Sequence, residues 1–161
     1  MPTTIIIAGD AEQDLVKLAQ ALDQRYANGQ ATVLYYSEAS QIAGSIQGTV
    51  FLVGHANVNQ IGDLDADTLL TEAPWKELLG GAEMIYLAGC STTDESQQII
   101  SGKGFFPTTL GKAVHQKYQK PVCATPAPLI LTATGVLKLE ITQASLSQGI
   151  SDENQIWVCF R

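Results

Sequence analysis

A thiol becomes a useful nucleophile when a base lies within hydrogen-bond reach, and a cysteine with a histidine is the simplest such pair. Two stretches of this chain have matching forms that would supply one. Thr49-Val-Phe-Leu-Val-Gly-His-Ala56 is an apolar run ending in glycine and histidine. Met84-Ile-Tyr-Leu-Ala-Gly-Cys-Ser91 is an apolar run ending in glycine and cysteine. Each reads as a buried strand that stops at a small residue and presents a reactive side chain just past its carboxyl end. If the strands are neighbours in a parallel sheet, His55 and Cys90 emerge side by side. The thiol form is a poor nucleophile, so His55 is the natural base for Cys90. The backbone amides of Ala56 and Cys90 are the donors placed to form an oxyanion hole.

A lone cysteine in an apolar strand is more simply a small buried hydrophobe, and a lone histidine a satisfied turn residue. It is the pairing of two strand-end motifs, in a chain with only two histidines, that favours chemistry. The second histidine, His115, falls off the apolar face of its helix and reads as solvent-exposed. Cys123 and Cys159 sit inside apolar strands and read as core. Rival motifs fail on inspection. Ala88-Gly-Cys-Ser-Thr92 lacks the paired glycines of a nucleophile elbow, and the histidine precedes the nucleophile, opposite to the α/β-hydrolase order. Ser101-Gly-Lys-Gly104 is a fragment of a phosphate loop, with Gln97 where the first glycine belongs. No zinc spacing is present. Asp63, Asp65 and Asp67 lack a complete calcium-ligand pattern and read as a solvated turn.

The elements that must position this pair follow from periodicity. Thr3 to Ala8 reads as a central strand. Asp10 reads as the N-cap of a helix whose stripe is Leu15, Leu18, Ala19, Leu22 and Tyr26, ended by Asn28-Gly29. Thr32 to Tyr36 is a second strand, Ser37 to Ile46 at best a short helix, and Thr49 to Val53 the third strand. Ala56 to Asp67 is polar and reads as a loop or short hairpin over the sheet edge. A helix begins around Pro74 and stops at Gly80-Gly81, before the fourth strand, Met84 to Ala88. Ser91 to Gly104 reads as a long loop, a length that is usually functional. Pro107 opens a helix with Leu110, Ala113, Val114, Lys117 and Tyr118 on one face. Val122 to Ala124 is a fifth strand, broken by Thr125-Pro-Ala-Pro128 before Leu129 to Thr132. Val136 to Thr142 and Gln155 to Phe160 read as two more strands, joined by a polar turn at residues 152–154. Strands alternating with helices imply a mostly parallel α/β sheet flanked by helices on both faces. Ligands of such sheets sit beyond the carboxyl ends of the strands, which brings Asp10, His55 and Cys90 to one site.

Composition bounds the partners. At 161 residues the chain reads as one domain, and its 45% hydrophobic and 16% charged residues suit a folded protein. A net charge of -7, with nine lysines and arginines spread thinly, argues against nucleic acid, polyphosphate or an anionic membrane surface as partner. No stretch approaches the roughly 20 apolar residues of a membrane span, and the amino terminus reads as a strand, not a signal peptide. Three cysteines, an odd number without paired spacing, make a disulfide framework unexpected and a reducing, cytoplasmic compartment the expectation, with signal-less secretion left open.

The strand ending in Gly54-His55, followed by one ending in Gly89-Cys90-Ser91, resembles the caspase–hemoglobinase group of cysteine peptidases (clan CD). The resemblance is to the self-cleaving cysteine protease domains of bacterial toxins and related bacterial caspase-like domains. Leu110-Gly-Lys-Ala-Val114, leading through Lys120-Pro-Val-Cys-Ala-Thr-Pro126, is similar to the helix and strand after the nucleophile in those domains. The resemblance covers roughly residues 49 to 126 and, by strand order, the amino-terminal unit. It implies a caspase-like (flavodoxin-like) fold, His55 as the dyad histidine, Cys90 as the nucleophile, and backbone groups near Ala56 and Cys90 as the oxyanion hole. Three features depart from the family. Ala56 stands where glycine is usual, and Ala88 cannot supply the charged pocket residue of caspases. An acidic chain also lacks the basic surface at which the toxin domains bind an inositol polyphosphate. Ala88 as pocket wall suggests a small or apolar P1 residue, whereas Asp10, Asp63, Asp94 and Glu95 suggest a basic one in that pocket or the neighbouring subsites.

The expected function is therefore a cysteine endopeptidase, a thiol protease needing no cofactor or metal, acting on a peptide or protein substrate. Two alternatives stand beside it: a caspase-like domain that no longer cleaves and serves as a binding or regulatory module, and a small-molecule hydrolase using the same Cys and His.

Overall fold

The computed structural model describes residues 2–8, 13–39, 46–57, 60–62, 64–90, 107–141, 143–147 and 149–161. Strand β1 (Thr3–Ile7) is the β-branched run at the amino terminus. Its isoleucines are all buried, Ile5 and Ile7 in one apolar layer and Ile6 in the other, as in a strand covered on both faces. Helix α1 (Gln13–Ala27) buries Leu15, Leu18, Ala19 and Leu22, and Asn28 and Gly29 end it at φ 53° and 79°. Asp10, its expected N-cap, lies outside the described residues.

The chain continues through β2 (Thr32–Tyr35), α2 (Tyr36–Ala39), β3 (Gly48–Asn57), β4 (Gln60–Ile61), β5 (Leu64–Asp65), α3 (Ala66–Thr71), α4 (Ala73–Gly80) and β6 (Ala82–Cys90). After residues 91–106 come α5 (Pro107–Tyr118), β7 (Val122–Ala124), β8 (Leu129–Leu131), β9 (Leu137–Leu139), α6 (Gln143–Ser147) and β10 (Val158–Phe160). The central sheet has the order β10-β7-β6-β3-β1-β2, parallel throughout except for β10. The order reverses between β1 and β3, a topology compatible with a flavodoxin-like α/β fold whose ligand crevice opens there.

Two apolar layers hold the sheet. On one face Ile6, Val50, Leu52, Ile85 and Leu87 meet Leu69, Trp75, Leu78 and Leu79 from α3 and α4 and Leu110 and Val114 from α5. On the other, Ile5, Ile7, Phe51, Val53 and Ala88 meet α1 and the β8–β9 pair. Each fully buried aliphatic side chain contributes about 1.5–3 kcal/mol, so both layers are needed to keep β3 and β6 in place.

The structure departs from the sequence reading at several points. β9 pairs with β8 and β10 pairs with β7, so the last two strands do not pair with each other. The local turn decides this: Gly135, at φ 85°, donates to the Thr132 carbonyl and closes a hairpin between the short runs on either side. Helices α3 and α6 were not expected: α3 begins at the end of the stretch read as polar loop, and α6 lies between the two strands read at 136–142 and 155–160. α3 exists because the Asp65 carboxylate caps it, accepting the Thr68 N–H at 2.7 Å. This bond holds the Asp65 carboxyl below the ordinary carboxylate range. His115 is half-buried rather than solvent-exposed: its Nδ1–H donates to the Lys120 carbonyl at 2.7 Å, and its ring lies 6.2 Å from that of Phe160.

Cys123 and Cys159, expected as unpaired core residues, form a disulfide that joins directly opposed positions of β7 and β10. The antiparallel edge strand is thus covalently fastened to the parallel sheet. This pairing removes the ground for expecting a reducing compartment. The expected long loop, Ser91 to Gly104, lies outside the described residues. Among the described residues no helix is long and apolar enough to cross a membrane.

Candidate functional site

Both reactive positions lie within strands and not beyond them. β3 runs on through His55 to Asn57 because its end is extended by a short antiparallel hairpin, with Ala56 opposite Ile61 and Asn57 opposite Gln60. The glycine before the histidine has a steric reason. A Cβ on Gly54 would stand 2.9 Å from the Ala8 carbonyl oxygen and 2.9 Å from the Gly62 nitrogen, closer than real side chains approach. The hairpin then locks on, with Gly62 N–H donating to the His55 carbonyl at 2.6 Å.

β3 and β6 are adjacent and parallel, with Val53 opposite Ala88, Gly54 opposite Gly89 and His55 opposite Cys90. Registered neighbours in a parallel pair share a face. Phe51 and Val53 belong to the α1 layer, as does Ala88, and alternation along β3 carries His55 onto that same face. His55 is half-buried there and borders a cleft of about 540 Å³. Asp14, Lys17 and Leu18 of α1 form one wall, and β8 with the turn through Thr132 and Ala133 forms the other. Sequence reasoning missed this second wall. Its signal was present in the apolar run Leu129–Leu131 and the alternating run Leu137–Leu139 on either side of a glycine turn.

The amides of Ala56 and Cys90 have a different setting from the one expected. The carbonyl of His55 faces β4, so the next amide along the strand, that of Ala56, faces β6. On β6, Leu87 and Gly89 bond towards the β7 side, so the Cys90 amide faces β3. Both groups are therefore directed into the rung that joins the two strands. An oxyanion hole made from them would draw on amides that the sheet already uses.

The remaining candidates divide clearly. Ala88 is fully buried in the α1 layer and has no surface for a ligand to touch, so it cannot line a pocket in this conformation. Asp10 and Asp94, with Asp63 and Glu95, lie outside the described residues. Among the described residues no group of three or more His, Cys, Asp or Glu could hold a metal ion.

One residue overlooked in the sequence touches the site from beneath. Thr125, just past β7, is fully buried and polar. Its Oγ1 accepts the Gly89 N–H at 3.1 Å and lies 3.4 Å from the Gly89 carbonyl, to which its O–H donates. The only sequence signal was its place before Pro126, where a main-chain donor runs out. No protein-family model matches the sequence, and no curated protein matches it.

Proposed function

We propose that the chain is a cysteine endopeptidase of caspase-like fold, with Cys90 as nucleophile and His55 as its base. The observation that carries this reading is the shared rung of His55 and Cys90 at the carboxyl ends of adjacent parallel strands, beside an open cleft. Chemically, His55 takes the thiol proton as the Cys90 sulfur attacks a peptide carbonyl carbon. The imidazolium then protonates the leaving amine, and water hydrolyses the thioester to restore the thiol. The substrate is a peptide or protein chain laid in the cleft between α1 and β8, and no cofactor, nucleic acid or membrane takes part. The Cys123–Cys159 disulfide favours an oxidising compartment over the cytoplasm.

A second reading, a caspase-like binding or regulatory module without peptidase activity, is favoured by one observation. The amides of Ala56 and Cys90 face the sheet and not the cleft. Peptidyl acyloxymethyl ketones with mixed P1 residues separate the two, with labelled sites mapped by mass spectrometry. Labelling of Cys90 that is lost in His55→Ala supports the peptidase. Absence of labelling, while iodoacetamide still modifies Cys90, rejects it in favour of the binding module.

A further inference from the structure

The β6–β7 ladder runs from Ile85 opposite Val122 to Leu87 opposite Ala124 and then stops. The last main-chain bond is Thr125 N–H to the Leu87 carbonyl at 3.1 Å. β6 continues for one further outward rung, that of Gly89, and there the partner strand has turned away at Thr125-Pro-Ala-Pro128. Gly89 is buried, so its N–H and C=O have no water to turn to. A single hydroxyl fills both roles: Thr125 Oγ1 accepts from the Gly89 N–H and donates to the Gly89 carbonyl. Thirty-six residues separate the two in sequence, so nothing local brings them together.

We infer that Thr125 is a positioning residue for the dyad, holding the Gly89–Cys90 peptide from the β7 side so that Cys90 stays on the rung of His55. The inference rests on the dyad reading. From the β3 side the rung is held by the sheet ladder, and among the described residues no main chain takes the place of Thr125 on the β7 side at this level. A threonine is suited to this task because its β-branched side chain has few rotamers, which fixes the hydroxyl against the strand. Valine has nearly the same shape but neither donates nor accepts, and it leaves two buried polar groups without partners. Serine keeps the hydroxyl.

The test combines two readouts on the whole protein. Amide hydrogen exchange of Gly89 reports the tie itself, and the pH profile of Cys90 alkylation by iodoacetamide reports the dyad. In the wild type and in Thr125→Ser, Gly89 should be protected to a degree close to that of Leu87. In Thr125→Val, Gly89 protection should fall, and the alkylation rate below pH 8 should drop about tenfold or more, with serine restoring it. Unchanged Gly89 exchange in Thr125→Val overturns the inference. So does lost protection with an unaltered alkylation profile, since Thr125 would then be a structural tie alone. If the valine variant does not fold, rapid Gly89 exchange in the wild type is enough to reject the proposal. His55→Ala, run in parallel, separates this from the dyad reading. A wild-type alkylation profile there ends the dyad whatever Gly89 does, whereas a changed profile there with none in Thr125→Val removes only the role of Thr125.

Discussion

Gly62 lies directly against the carbonyl of Ala8, so closely that a Cβ at position 62 would sit 1.2 Å from the Ala8 oxygen. Gly62 also has φ +58°, a left-handed conformation. The contact seats the β4–β5 hairpin over the end of β1 and fixes the bond from Gly62 N–H to the His55 carbonyl. Gly62→Ala therefore meets a main-chain clash and backbone strain together, and should destabilise the protein by about 3 kcal/mol. Gly80→Ala is the matched control, because no heavy atom lies within 4 Å of its added Cβ. It should be neutral or stabilise by about 0.5 kcal/mol. Urea midpoints at constant slope measure both, and equal midpoints for the two variants would show the packing to be looser than described.

The Cys123–Cys159 disulfide closes a loop across a sequence separation of 36 residues, and in the chain-entropy account such a loop stabilises by about 4 kcal/mol. Reduction should lower the urea midpoint of the wild type accordingly. Cys159→Ser should start from the lower value and show no further response to reductant. β10 has three residues and among the described residues pairs only with β7, so it should be the first element to gain hydrogen exchange on reduction. A reductant-insensitive wild type would mean that the two thiols are not joined in solution.

Much of this arrangement was legible in the sequence where burial and period agree. The isoleucines of β1, the stripe of α1 from Leu15 to Leu22 (though not Tyr26, which is exposed) and the runs around Val50 and Leu87 read correctly because a covered strand must be apolar throughout and a covered helix only on one side. The pairing of His55 with Cys90 followed from two runs of the same form, and the observed register places those residues opposite each other. What was not legible depends on partners distant in the chain. Nothing near Cys123 or Cys159 indicates that β10 returns antiparallel and sets them opposite each other. Thr125 reads as a turn residue until Gly89 is beside it. The extension of β3 past His55 likewise depends on Gly62 fitting against Ala8, a close approach that hydrophobic period does not report.

Two half-buried tyrosines give the fold an alkaline limit. Burial pushes the Tyr86 hydroxyl above its ordinary range, with nearby Tyr26 adding to the effect, and burial alone does so for Tyr118. The neutral forms are favoured in the native state, so their contribution is complete below the unfolded value near 10. It is lost as pH rises through the higher folded values. Stability should therefore fall above pH 10. Tyr118 also donates to the Leu69 carbonyl, tying α5 to α3. Tyr118→Phe should lose about 1 kcal/mol at neutral pH from that bond and show a shallower alkaline decline. Urea melts from pH 7 to 11 read both effects, and an unchanged decline in the variant would assign the pH dependence elsewhere.

The cleft beside His55 offers a way to separate a peptide site from a site for small molecules. Ala133 is exposed and lines the wall facing Asp14 and Lys17, on a turn that makes no contribution to the central sheet. Ala133→Trp places a large side chain in a cleft of about 540 Å³ while leaving β3, β6 and Thr125 untouched. A peptidyl ketone that lies along α1 and β8 on its way to Cys90 should then label about tenfold more slowly, as expected from a blocked, largely preformed pocket. Iodoacetamide, which needs no such path, should modify Cys90 at the wild-type rate. Equal slowing of both reagents would indicate a disturbed dyad. Equal rates for both in wild type and variant would place the approach to Cys90 outside this cleft.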